Sequence, residues 1–180
     1  MYTLVRKTLE IYLREKRIIT LSDIDKTLLE HTKTKMSVFI TLYYQGKVIA
    51  SSGRIQCKKE NTLYECIDNT LLCLKDERFT TEIQNPEKLA EIHIRVDRFT
   101  AQNRRVLSSI DELDTREEGI IFLSQNLGKL AIILPRMVHL DSLPANYFIL
   151  ACKKVDLDAT KLTPSDYVLY GIKTESESDF

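Results

Sequence analysis

The chain has 180 residues, 43% hydrophobic and 29% charged, which fits one soluble domain or a domain with a small lobe. Its 26 basic and 26 acidic side chains cancel, so no global field draws it to nucleic acid or an anionic membrane. No apolar run reaches the length of a membrane span, and the opening MYTLVRKTLE lacks a signal peptide's apolar core, so a cytoplasmic location is expected.

Val5, Leu9, Tyr12 and Leu13 recur at helical spacing among charges and predict an amphipathic first helix. Ser22-Asp23-Ile24-Asp25 reads as a helix start with Ser22 as cap, followed by a short helix to about Leu29 and a polar loop at His31–Lys35. Met36–Tyr44 and Lys47–Ile55 are rich in Val, Ile, Thr and Tyr and flank Gln45-Gly46, which predicts a β-hairpin. Thr62 and Glu65 are spaced as a capping box, and Leu63, Ile67, Leu71 and Leu74 mark one face of the helix that follows. Asn85-Pro86 opens a short turn. Ile92, Ile94 and Val96 alternate with His93, Arg95 and Asp97, a half-buried strand. Arg104–Glu118 is polar and weakly patterned. Gly119–Ser124 and Lys129–Leu134 flank Asn126-Leu127-Gly128 as a second hairpin, stopped by Pro135. Leu143–Lys154 reads as a helix capped by Ser142, and Tyr167–Lys173 as a last strand. Residues 1–173 are expected to form a single domain, and 174–180, TESESDF, a disordered tail.

The four cysteines, Cys57, Cys66, Cys73 and Cys152, form no CxxC or CxH pair, so neither a zinc site nor any other metal site or cofactor is signalled. Cys66 and Cys73 fall on one helix face and read as buried, reduced thiols.

The stretch Ser37–Arg54, SVFITLYYQGKVIASSGR, resembles the conserved segment of the AMMECR domain family, named for the Alport, midface hypoplasia and elliptocytosis chromosomal region. There the pattern is G-V-F-V-T-L, a Gly turn, then L-R-G-C-I-G. Aligned on Gly46, the motif's arginine falls on Ile49, its first glycine on Ala50, its cysteine on Ser51 and its second glycine on Gly53. Further along, Asp76-Glu77-Arg78-Phe79 is similar to the family's D-P-R-F, and Leu89–Val96 to its L-E-I-E-V-S-V-L. Glu118–Phe122, Gly128 and Ala131–Met137 resemble H-G-L-I-V, a Gly turn and G-L-L-L-P-Q-V, with Arg136 in place of the glutamine. Leu150–Leu157 resembles L-C-x-K-A-G-L, and Val168–Gly171 the terminal V-x-R-F. Order and spacing agree from about residue 4 to residue 173.

The resemblance, with the hairpin pattern, implies an α+β fold: a largely antiparallel mixed sheet flanked by helices, with a smaller lobe beside it and a cleft near Ser51. It also implies that the counterparts of Ser51 and Arg136 lie near one cleft. The family carries no settled activity. Its association with Memo-type and radical S-adenosylmethionine proteins hints at a modification pathway. In this chain the arginine, one glycine and the cysteine of the motif are gone. Cys57 stands six residues on, about 20 Å along an extended strand, too far to replace the missing thiol.

The candidate binding residues are therefore Ser51, Ser52, Gly53 and Arg54, with Asp76, Arg78 and Arg136; no catalytic residue is assigned. A serine needs a positioned base, and His31, His93 and His139 are the available imidazoles. Arg95, Arg98, Arg104 and Arg105 form a basic cluster, but no aromatic series accompanies it, so a solvated charged face is expected rather than a nucleic-acid site. Two functions follow: a non-catalytic module binding a small ligand or protein partner at a cleft near Ser51, or a transferase- or hydrolase-type enzyme using that cleft.

Overall fold

Two β-rich runs, Ser37–Tyr44 (β1) and Lys47–Gly53 (β2), pair antiparallel as the first hairpin. Gln45 and Gly46 both sit in the left-handed region, φ 50° and 73°, as the tight turn between twisted strands requires. The structure, a computed structural model, describes residues 1–137 and 143–180. It divides into two compact units, residues 1–100 with 175–180 and residues 101–174, where the sequence suggested one domain.

In the first unit β1 also pairs with Ile92–Phe99 (β3), and β3 pairs with Glu175–Ser178 (β8), giving an antiparallel sheet in the order β2-β1-β3-β8. Alternation assigns the two faces. Val38, Ile40, Leu42, Ile94 and Val96 join the core shared with two helices, Tyr2–Glu15 (α1) and Thr62–Cys73 (α2). Phe39, Thr41, Tyr43, Arg95 and Asp97 take the other face. A bulge in β2 breaks the pattern: Leu42 faces Ala50 but Tyr43 faces Val48, so Ile49 is the extra residue. Ile49 and Ala50 then both enter the helix-side core.

Helix α1 buries Leu4, Val5, Leu9 and Leu13; its last N–H, of Lys16, donates to the Tyr12 carbonyl at 3.0 Å, and the φ of 56° at Lys16 turns the chain out of the helix. Helix α2 buries Leu63, Cys66, Ile67 and Cys73, as its face pattern predicts. Its cap is Asn61, whose Oδ1 accepts from the Tyr64 N–H at 3.0 Å, and not the expected Thr62–Glu65 box. Thr62 Oγ1 instead accepts from the Met36 N–H, and Glu65 turns inward. The helix expected from Ser22 is two 3₁₀ segments, Leu21–Asp23 and Lys26–Lys33. Neither fully buries a residue, and only Leu28 and Leu29 of the second pack, partly buried, against the core, so little packing favours an α-helix there. The first segment is capped by Thr20 and Asp23, whose carboxylate accepts from the Thr20 N–H at 2.8 Å.

The second unit has Arg104–Leu107 (β4), Glu118–Ser124 (β5), Lys129–Ile133 (β6) and Val168–Lys173 (β7) in the antiparallel order β4-β7-β5-β6. Helix Pro144–Lys154 (α3) covers one face, where Leu107, Ile120, Phe122, Ala131, Ile133 and Leu169 meet Tyr147, Ala151 and Cys152. Phe122, Phe148 and Tyr167 form an aromatic cluster with centroids 5.0 to 6.0 Å apart. Ser142, the expected cap of α3, lies outside the described residues.

Two segments depart from expectation. Strand β4 lies inside the stretch that looked unpatterned. The tail 174–180 is not disordered: Glu175–Ser178 is a paired strand held by ions rather than by apolar burial. No helix among the described residues is long and apolar enough to cross a membrane.

Gly119 needs its missing side chain, because a Cβ there would stand 2.2 Å from the Ile133 carbonyl oxygen. Backbone cannot yield as a side-chain tip can, so Gly119→Ala should cost about 2 to 3 kcal/mol, read as a lower urea midpoint at unchanged slope.

Candidate functional site

Strand parity divides the residues singled out near Ser51 between the two faces of the first sheet. Ser52 and Arg54 turn toward α2, while Ser51 and Gly53 turn away from it. Arg54 donates from Nη1 to Glu65 at 3.0 Å and from Nη2 to Asp68 at 2.5 Å. Lys59 Nζ meets the other Asp68 oxygen at 2.8 Å. Ser52 Oγ makes a long contact, 3.5 Å, with Asn69 Oδ1. Gly53 is glycine because a Cβ would come within 2.3 Å of the Phe39 ring. Close packing explains Gly53, and internal ion pairs occupy Arg54.

Glu65 organises this side. Its side chain is fully buried, yet it stays ionised. Burial pushes its pKa up, but the N–H groups of Lys59 and Lys58 and the Arg54 guanidinium outweigh that and hold it low. Both backbone donors reach Oε2, at 2.9 and 3.0 Å, and Asn69 Nδ2 adds a bond to Oε1 at 3.2 Å.

Asp76 and Arg78 do join Ser51. Asp76 Oδ2 accepts the Ser51 N–H at 3.1 Å and Arg78 Nη2 at 2.7 Å, while Oδ1 accepts Arg78 Nε at 2.9 Å. The Arg78 guanidinium brings the Asp76 carboxyl down to about 2. Such a carboxylate is a poor base, and its bond goes to the Ser51 backbone. The Ser51 hydroxyl itself has no hydrogen-bond partner among the described residues. Arg136 belongs to the second unit, exposed after β6 with φ 52°.

The histidines lie elsewhere. His31 Nδ1 is 3.4 Å from Arg98 Nη1 on the helix side of the sheet, and burial, followed by the Arg98 charge, lowers its pKa. His93 Nδ1 is 3.6 Å from Asp179. His139 is outside the described residues. Cys66 and Cys73 are buried, and burial pushes both thiols up to about 12, far from a reactive thiolate.

Sequence reasoning missed the polar row that runs from Ser51 across the sheet. Ser51 pairs with Thr41, Thr41 with Arg95, and Arg95 with Ser178. Arg95 is 6% exposed and forks onto Asp97, which is 0% exposed, at 2.8 and 2.9 Å. Beside them lies the buried Tyr43 hydroxyl, close to the Arg95 guanidinium, and its proton has no acceptor among the described residues. Burial raises its pKa, so it is a neutral donor. The expected solvated basic face is corrected accordingly. Arg95 is buried, Arg98 bonds Glu177 at 2.8 Å, and Arg105 bonds Glu118 at 2.7 Å. Opposite charges two apart on a strand, Arg95 and Asp97, were the signal that could have found the row.

A groove of about 420 Å³ lies on the outer side of α2, lined by Ile18, Tyr64, Ile67 and Leu71 with Lys59, Glu60 and Asp68. It lies on the Arg54 side of the sheet.

No family model and no curated protein matches the chain. In structure it is similar to the uncharacterised protein PH0010 from Pyrococcus horikoshii, with TM-score 0.74 and 16% identity over 97% of this chain and 87% of that one. At that identity the likeness shows the fold: α+β, with antiparallel sheets flanked by helices.

Two outcomes follow. In the native protein, half-exposed Cys57 should be alkylated first, with Cys66 and Cys73 at least about tenfold slower until the chain is unfolded. Mass mapping of the labelled peptides checks the order. The second concerns acid. The folded pKa of Asp76, about 2, lies below its ordinary 3.8, so its stabilisation is complete above that ordinary value and drains away as pH falls toward the folded one. Urea titrations between about pH 5 and 2 should show a slope shallower by up to about one proton in Asp76→Asn.

Proposed function

We propose that the chain is a divergent AMMECR-like module that binds a ligand or partner and performs no covalent chemistry at Ser51. The observation that carries this reading is the Ser51–Thr41–Arg95 row. A buried ion pair and a buried phenol whose proton has no acceptor among the described residues lie on the sheet face turned away from α1 and α2. Buried pairs of this kind add little to stability and are costly to leave half-satisfied. A ligand with an acceptor oxygen would complete the Tyr43 hydroxyl, and Asp97 already holds the Arg95 guanidinium in one orientation.

The chemistry beside the row supports binding over catalysis. Acyl or phosphoryl transfer through Ser51 needs a base near neutral pH within hydrogen-bond reach of Oγ. Asp76, the carboxylate that meets the Ser51 backbone, is spent on Arg78 and on that N–H. The loss of the family's motif cysteine points the same way. The enzyme reading, in which a modification pathway supplies the substrate, needs a base that the described residues do not place at Ser51.

The test uses the intact protein with a fluorophosphonate probe, which labels activated serines. No label should appear at Ser51. Fragment screening by amide chemical shifts should give hits that perturb Thr41, Tyr43 and Arg95, preserved in Ser51→Ala and lost in Ser51→Trp. Probe labelling that disappears in Ser51→Ala would replace this reading with the enzyme.

A further inference from the structure

Strand β8 is attached to its sheet by charge. None of its residues Glu175–Ser178 is buried. Its carboxylates stand at every second position and fall on one side, Glu175, Glu177 and Asp179. Arg98 meets Glu177 at 2.8 Å and Glu175 at 3.4 Å. The Met1 amino group meets Glu177 at 2.6 Å, and Arg6 pairs with Asp179. Arg6 is itself fixed by the Leu89 and Ile92 carbonyls, which it reaches at 2.5 and 2.7 Å. The Arg98 side chain is 13% exposed and the Arg6 side chain 28%, so burial in the first case and the two carbonyl bonds in the second hold the arginines in place.

The backbone adds a second mode of recognition. Residues Arg95–Arg98 of β3 pair with β8, and past the strand's end the Ile94 N–H donates to Asp179 Oδ1 at 2.8 Å while the Asp179 N–H reaches the Ile94 carbonyl at 3.2 Å. Phe180 closes the register, its ring edge-on to Tyr43 at 5.4 Å and to His93 at 5.7 Å, yet 61% exposed. Main-chain pairing supplies affinity and the alternating pockets supply selection, as in peptide binding by strand addition. A strand that buries no apolar side chain has little holding it beyond that pairing and a few partly screened ion pairs. Such an edge opens well before the whole unit does.

We infer that the outer edge of β3, with Arg98 and Arg6, is a docking edge for an extended acidic segment bearing carboxylates at alternate positions, and that β8 is its intramolecular occupant. An acidic segment of another protein binds by displacing β8 and making the same pairs.

A fluorescent peptide of residues 173–180 tests this on the full-length chain. The triple variant Glu175→Gln/Glu177→Gln/Asp179→Asn loosens β8 without shortening the chain. The peptide should bind it at least about tenfold tighter than it binds the parent, and about 1 M NaCl or an added Arg98→Gln should abolish binding. A peptide of the same composition with its acids clustered should not bind. Equal binding to parent and triple variant, survival of binding in Arg98→Gln, or equal binding of the clustered peptide overturns the inference. So does a dimer of the triple variant that excess peptide fails to dissociate, which would make the occupant a second copy. Should the triple variant not fold, hydrogen exchange on the parent decides. Amides 175–179 should lose at least about tenfold protection between about 50 mM and 1 M NaCl while the β1–β2 hairpin keeps its own. Salt-independent protection of that segment overturns the inference.

Discussion

The first unit depends on a charge carried to where water cannot follow. Bringing a carboxylate inside costs several kcal/mol unless donors replace its hydration. Glu65 finds four: the N–H groups of Lys58 and Lys59, the Arg54 guanidinium and the Asn69 amide. The donors come from three parts of the architecture. Arg54 stands at the exit of β2, Lys58 and Lys59 in the loop that follows, and Asn69 one turn along α2. Asn69 also donates to the Val38 carbonyl of β1 at 3.1 Å. One carboxylate thus ties the hairpin, the loop and the helix together. It also removes Arg54 from the pool of groups that could meet a ligand.

The elements with strong local signals were legible in the sequence. Both hairpins follow from β-rich runs around glycines that adopt positive φ, and the buried face of α2 follows from its spacing. What escaped depends on partners distant in the chain. Nothing local marks β4 as a strand; its pairing with β7 does. β8 reads as disordered because it has no apolar residues; its pairing with β3 and the distant cations at Met1, Arg6 and Arg98 make it a strand. The bulge at Ile49 cannot be seen in β2 alone, since it is a mismatch between two strands.

The candidate site was legible in the same uneven way. Ser51, Asp76 and Arg78 do come together, because a backbone N–H at the strand end meets a carboxylate beyond the helix. Ser51-Ser52-Gly53-Arg54 looked like one small-residue loop, but a strand sends successive side chains to opposite faces. Ser51 therefore belongs with Thr41 and Arg95, and Arg54 with Glu65. Arg95 looked like part of a solvated cluster because sequence proximity to Arg98 and Arg104 suggested a common surface. Strand parity separates Arg95 from Arg98, and a unit boundary separates both from Arg104.

The zero net charge conceals two different ways of holding a unit together. In the first unit, buried carboxylates are internal structure, Glu65 with Arg54 and Asp97 with Arg95, while the more exposed β8 carboxylates pair with Arg6 and Arg98. In the second, the centre is apolar and aromatic, Phe122 with Phe148 and Tyr167 over Ile120 and Ile133, and the buried Glu118 carboxylate is held by Arg105 and the Asp114 N–H. Apolar burial is non-directional and tolerates exchange of similar volumes, whereas a buried ion pair fixes geometry and tolerates no removal of one partner. Fixed polar groups in defined orientations are what a recognition site requires. The binding proposed for the first unit draws on groups of this kind, in the row through Arg95 and along the edge of β3.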